Sequence, residues 1–288
     1  MIKEKKKGRE AMRILTKQQV EAFKNSLALD EKSKATIQKY MRDVHAFYAF
    51  TLGKEIEKER MIAYKRHLLE QHYAVRTVNS MLCSINQLMH FLGWEDCIVK
   101  GLRLQRQTYQ SEQKELTKAE YHRLLRAAEH KPRLQMILKT IGCTGIRVSE
   151  LQYFTVESVK KRKILISCKG KIRTILLPSM LQKRLLSYCR QYNIHKGLVF
   201  CTRSGKPLDR SNIWTAMKKL CAAANVSRQK VFPHNLRKLF ARTFYCVEKD
   251  IARLADILGH SSIETTRIYI MTTERENQRI LDKMNLLL

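Results

Sequence analysis

Four stretches of this chain hold side chains whose types and spacing could do chemistry. In LGHSSIETTRIY (258–269), Gly259 ends one helix, and Ser261 with Glu264 three residues on forms a capping box for the next. His260 then stands just before the new helix, and Tyr269 lies eight residues past the cap, about 12 Å along the axis. In FPHNLRKLFART (232–243), Pro233 suits a first helical turn, and His234 and Arg237 are three apart and point the same way. In CTGIRVSEL (143–151), Thr144-Gly145 makes a break, and Arg147 enters the next helix with Glu150 on the same face. In RKILISCKGKIRTILLP (162–178), two β-branched and aliphatic runs flank Lys169-Gly170-Lys171, which reads as a hairpin with lysines at its tip.

Each stretch alone has a plainer reading. Arg147 with Glu150 is a surface ion pair, His234 with Arg237 a satisfied surface pair, and the tip lysines are solvated. Tyr269 alone is a half-buried core tyrosine, since a phenol with a pKa of about 10 attacks poorly unless its phenolate is stabilised. Together the six have another meaning. Two arginines, a lysine, two histidines and a tyrosine are what metal-free phosphoryl transfer needs. Guanidinium groups fit phosphate oxygens in pairs, keep their charge and stabilise a pentacoordinate transition state. A histidine can take the phenolic proton, and a lysine can protonate the leaving 5′-oxygen.

The composition points to the same substrate. Lys plus Arg number 56 against 26 acidic residues, a formal charge of +30 spread along the whole chain. Such an excess opposes compaction and favours a polyanion, nucleic acid first of all, because phosphate contacts release condensed counterions. A basic ribosome-associated protein, or a charged surface without a partner, is the plainer alternative. The eight cysteines are scattered, the closest two being twelve residues apart, so no zinc-binding pair forms. They read as small buried hydrophobes of a reducing compartment. No apolar run approaches the roughly 20 residues of a membrane span, and MIKEKKKGRE has no apolar stretch behind it, so the expected location is the cytoplasm.

These side chains need a scaffold, and the periodicity supplies one. SKATIQKYMRDVHAFYAF (33–50) and AVRTVNSMLCSINQLMHF (74–91) carry apolar residues in steps of three, four and three, the spacing of one helical face. With shorter helices at about 16–28 and 57–72 they make a four-helix unit over 14–100. Residues 101–115 read as an exposed basic connection, and Thr117 with Glu120 forms a capping box that restarts the helical pattern. The second domain, 116–272, is expected to be mainly α with one small β-hairpin. Residues 1–13 form a basic arm, and 273–288 a tail helix with Leu281, Met284 and Leu288 on one stripe.

The order T-G-x-R-x-S-E-L, hairpin K-G-K, H-x-L-R and L-G-H-S-S-I-x-T-T-x-x-Y resembles the tyrosine recombinases, the phage and transposon integrases and Xer-type enzymes. The resemblance covers about 116–272 and extends more loosely to the amino-terminal helices, which look like that family's SAM-like core-binding domain. It implies that Arg147 and Arg237 clamp a scissile phosphate, with Glu150 supporting Arg147. Lys169, or Lys171 in its place, is the implied general acid. His234 accepts a proton, His260 holds the phosphate, and Tyr269 attacks to give a 3′-phosphotyrosine. The implied partner is double-stranded DNA, gripped by two domains as a clamp, with four copies joining two DNA sites in the nucleoid through their tail helices. The implied chemistry uses neither metal nor any other cofactor. A type IB topoisomerase and a non-catalytic basic DNA-binding protein are the alternatives. After H-x-L-R this chain has Lys238 and Leu239 where the family has His and then Thr or Ser.

Overall fold

The computed structural model describes residues 12–104, 115–168, 171–271 and 274–284. They form two compact units that divide near residue 106.

Among its described residues the first unit holds four helices, α1 (Lys17–Leu29), α2 (Lys34–Thr51), α3 (Lys58–Glu70) and α4 (Val75–Phe91), and a 3-10 turn at Glu95–Cys97. Thr16 and Gln19 form a capping box at α1, and Ser33 caps α2 through the Thr36 amide. The helical stripes bury Val44 and Phe47 of α2 against Val78, Ile85 and Leu88 of α4, all fully enclosed. Tyr64 of α3 meets Phe47 edge to face at 4.9 Å. One charge lies inside this core. Asp43 is compensated by Lys39 Nζ at 2.8 Å and by the Ser84 hydroxyl, which donates to it from α4 at 2.9 Å.

In the second unit, Thr117 and Glu120 make the expected capping box at α5 (Lys118–Ala127), which is followed by α6 (Pro132–Thr144). A 3-10 turn (Val148–Tyr153) and α7 (Val156–Lys160) lead into β1 (Lys163–Cys168) and β2 (Lys171–Leu176). The helices α8 (Ser179–Gln191), α9 (Arg210–Lys218), α10 (Cys221–Ala224), α11 (Pro233–Glu248), α12 (Ile251–Leu258), α13 (Ile263–Ile270) and α14 (Glu274–Met284) complete it. The strands are antiparallel, with Ile164 opposite Ile175 and Ile166 opposite Arg173. Alternation turns Ile164, Ile166 and Ile175 into the core and leaves Leu165, Ile172 and Leu176 exposed. Phe154, Leu185, Phe200 and Leu236 fill the centre, while Ala241, Leu254, Leu258 and Tyr269 form a separate small cluster.

Three expectations change. Arg147 does not enter an α-helix: it caps a 3-10 turn, because the Glu150 carboxylate reaches back to its amide. The cap of α13 is Ser262, which accepts from the Glu264 amide, and not Ser261. Finally, the cysteines are not uniformly buried, since Cys83, Cys143 and Cys246 are exposed. Among the described residues, no helix is long and apolar enough to cross a membrane.

Gly145 shows how tightly α6 and α11 meet. It ends α6 with φ +65°, and a Cβ there would lie 2.3 Å from Cδ1 of Phe240 on α11. Gly145→Ala should therefore destabilise the protein by roughly 1–3 kcal/mol through overpacking, with a left-handed backbone penalty added. Urea unfolding that matched wild type would contradict this close approach.

Candidate active site

The end of α12 is where the site is built. Gly259 takes the left-handed conformation with φ +64°, which stops the helix and turns the chain towards α13. A helix terminus leaves its last carbonyls without partners inside the helix. Here three arginines supply them. Arg173 Nη1 donates to Ile257 O at 2.9 Å, Arg237 Nη2 to Leu258 O at 2.7 Å, and Arg147 Nη2 to Gly259 O at 3.4 Å. The negative end of the helix dipole favours cations at this place.

Arg237 is the most enclosed of the three, at 1% exposure. Its Nη1 donates to Gly145 O at the end of α6, at 2.6 Å, and its Nη2 also meets His260 Nε2 at 2.9 Å. Burial, then the nearby Arg147 charge, lowers its pKa to about 10, so it stays cationic at neutral pH. Arg147 is more open, with 43% of its side chain exposed. Glu150, itself buried, accepts from Arg147 Nη1 at 3.1 Å and from Arg173 Nη2 at 2.5 Å. One carboxylate thus serves two guanidinium groups.

Pro233 occupies the first turn of α11, as expected, so His234 and Arg237 project from the start of that helix. The Tyr269 ring, 7% exposed, lies between two imidazoles. Its centroid is 5.1 Å from that of His234 and 5.1 Å from that of His260, both edge to face. Burial depresses the pKa of His234, with Lys238, Arg237 and Arg147 adding to the effect. His260 falls to about 4 through burial and then Arg237, Arg147 and Arg173. Both rings are therefore neutral at pH 7, each with one nitrogen lone pair able to accept a hydrogen bond. His260 Nδ1 lies 2.8 Å from the Thr266 hydroxyl. Beside this group opens a cavity of about 640 Å3, with Arg147, His234 and Arg237 on one side and Arg210, Trp214 and Thr215 of α9 on the other.

Arg147, His234, Arg237, His260 and Tyr269 are thus brought together, with Glu150 behind them. Lys169 lies outside the described residues, and Lys171 begins β2. Sequence reasoning missed Arg173, Thr266 and the α9 wall. Arg173 carried a readable signal: it shares the inward side of β2 with Ile175, where an aliphatic residue is the rule. Thr266 looked like one more small hydroxyl residue near a helix start.

The sequence pattern of the phage integrase family matches residues 114–276, and that of the family's N-terminal SAM-like domain matches residues 20–96. The chain belongs to the phage integrase family of tyrosine recombinases. The tyrosine recombinase XerA of Pyrococcus furiosus is 26% identical over 290 residues, covering 96% of each chain. The tyrosine recombinase XerD of Halalkalibacterium halodurans is 26% identical over 84% of this chain and 88% of its own. Among solved structures, a lambda integrase tetramer bound to a Holliday junction shares the fold, with a TM-score of 0.70 at 17% identity. That match covers 88% of this chain and 76% of the integrase.

The depressed histidines of this integrase-family site have a consequence for stability. An unfolded histidine titrates near 6.5, whereas folded His260 titrates near 4. Above about pH 6.5 both states are neutral and the folded protein has its full stability. As pH falls from there towards 4, the unfolded chain gains a proton that the folded site refuses, so stability declines. His260→Asn should flatten this decline in thermal melts between pH 7 and 4.5, and His234→Asn should do so in the same direction. Parallel pH profiles for wild type and both variants would contradict the burial of neutral imidazoles.

Proposed function

We propose that the protein is a site-specific DNA recombinase that cuts and rejoins strands through a 3′-phosphotyrosine, with the six side chains in the roles the family resemblance implies. One observation carries the reading. Two guanidinium groups, Arg147 and Arg237, both donate to the end of α12, where burial and then the Arg147 charge lower the proton affinity of Arg237, beside a tyrosine held between two neutral histidines. Such a pair is relieved by a bound phosphate, to which guanidinium groups donate in a fixed fork.

In the proposed reaction, Arg147 and Arg237 bind the non-bridging oxygens of the scissile phosphate. Glu150 fixes Arg147. His234 takes the proton of Tyr269, whose oxygen attacks phosphorus as the bond to the 5′-oxygen breaks. Lys169, or Lys171 in its place, gives a proton to that leaving oxygen, and His260 holds the phosphate. One phosphoester bond is exchanged for another, so a second 5′-hydroxyl can reverse the step on a new strand without ATP or metal. The +30 formal charge supplies sequence-independent attraction to the duplex. Four copies on two DNA sites would exchange strands in the cytoplasm, with α14, whose Leu281 and Met284 are exposed, docking on a neighbouring subunit.

Incubation with nicked duplexes prepared from fragmented genomic DNA tests this. Wild type should form a denaturation-resistant adduct at a particular site. Tyr269→Phe should bind but form none, and Arg237→Lys should slow attachment by roughly 10²–10³-fold, the scale of a lost transition-state donor. An adduct formed by the Phe variant would remove Tyr269 as nucleophile. Supercoil relaxation without any preferred site would indicate a topoisomerase instead.

A further inference from the structure

Both ring nitrogens of His260 are engaged in the free site. Nε2 lies 2.9 Å from Arg237 Nη2, and Nδ1 lies 2.8 Å from Thr266 Oγ1. A guanidinium can only donate, so Nε2 accepts, and the proton of the neutral ring sits on Nδ1 and is donated to Thr266. This tautomer carries no proton on the side facing Arg237, where a phosphate gripped by that guanidinium would lie. To hold the phosphate, His260 must present Nε2–H, and Nδ1 then becomes an acceptor in need of a donor.

Thr266 meets both demands. It is fully buried and lies on α13 three residues before Tyr269. Its hydroxyl can accept from Nδ1–H, or turn about the Cβ–Oγ1 bond and donate to Nδ1. An aliphatic side chain there would leave Nδ1 without a partner in either state, which is unfavourable for a buried polar group.

We propose that Thr266 is the positioning residue that sets the tautomer of His260, accepting from Nδ1–H in the free site and donating to Nδ1 when Nε2–H turns to the scissile phosphate. One proton leaves Nδ1 for solvent and one returns to Nε2, so the ring stays neutral. The hydroxyl hydrogen of Thr266 reorients without leaving its oxygen. The groups facing His260 are Arg237 and His234 of α11, Arg147 of the 3-10 turn, Arg173 of β2, and Thr266 and Tyr269 of α13. Three cations among them disfavour the imidazolium, which leaves the two neutral tautomers as the working states. The DNA-bound half of the proposal rests on the recombinase reading; the free-state half does not.

Long-range proton–nitrogen NMR of the full chain separates the two halves. Free wild type and Thr266→Ser should show His260 protonated at Nδ1 with a bare Nε2. Tyr269→Phe bound to a nicked duplex carrying the trapped site should show Nε2–H. Thr266→Val should slow covalent attachment by roughly 10- to 100-fold, the scale on which removing an outer partner of a functional histidine acts, and should alter the pH profile of the rate. Thr266→Ser should restore most of the rate. The proposal is overturned by Nε2–H in the free wild type, by Nδ1–H persisting on DNA, by a Val variant as fast as wild type, or by a Ser variant as slow as Val. Failure of the wild type to form an adduct on any duplex would overturn the recombinase reading, and the free-state spectrum would still decide the Thr266 pairing.

Discussion

Three consecutive carbonyls at the end of α12 hold the candidate site together. Ile257, Leu258 and Gly259 each accept a hydrogen bond from a different arginine, and those arginines come from β2, α11 and the 3-10 turn. Hydrogen bonds to charged groups contribute about 1.5–3 kcal/mol each, more than neutral ones. The left-handed Gly259 makes the arrangement possible. It ends the helix there, and a side chain at that position would strike the Arg173 side chain, whose Cδ and Nη1 would both lie 2.7 Å from a Cβ.

The same contacts explain how positive charge is concentrated without the site bursting apart. Arg237 is enclosed between the ends of α6 and α12, so two helix termini present their negative poles to one buried cation. Glu150 offsets Arg147 and Arg173 together. The net result is still cationic, and the histidines beside it answer by staying neutral. The guanidinium groups are thus held in a preformed cluster, their positions fixed by the helix-end carbonyls and by Glu150 before any ligand arrives.

Much of this was legible in the amino acids, and the reasons are local. Gly259 had to end a helix, Pro233 had to begin one, and a three-residue step had to set His234 and Arg237 side by side. Thr117 and Glu120 cap a helix by the same short-range logic. What could not be read depends on contacts distant in sequence. The choice of a 3-10 turn after Arg147 follows from where the Glu150 carboxylate sits, shared with an arginine 23 residues further on. The cap of α13 falls on Ser262 and not Ser261, and two adjacent serines gave no way to tell them apart. The burial of Arg237 has no local signature, since an arginine on a helix face looks the same whether it meets water or the ends of two other helices. Arg173 falls between these cases: strand alternation marks it as inward, but only once the hairpin register is known.

Tyr269 comes late in the chain, more than a hundred residues after Arg147 and in the last helix to join the small cluster of Leu254 and Leu258. During synthesis, Arg147 and Glu150 leave the ribosome well before the phenol does, whereas Arg237 precedes it by only 32 residues. A half-made molecule therefore lacks both the carbonyls of α12 that hold the arginines and the tyrosine that lies between the two histidines. The order of residues along the polypeptide thus completes the arginine cluster and delivers the phenol within one short stretch, so that neither waits long for the other.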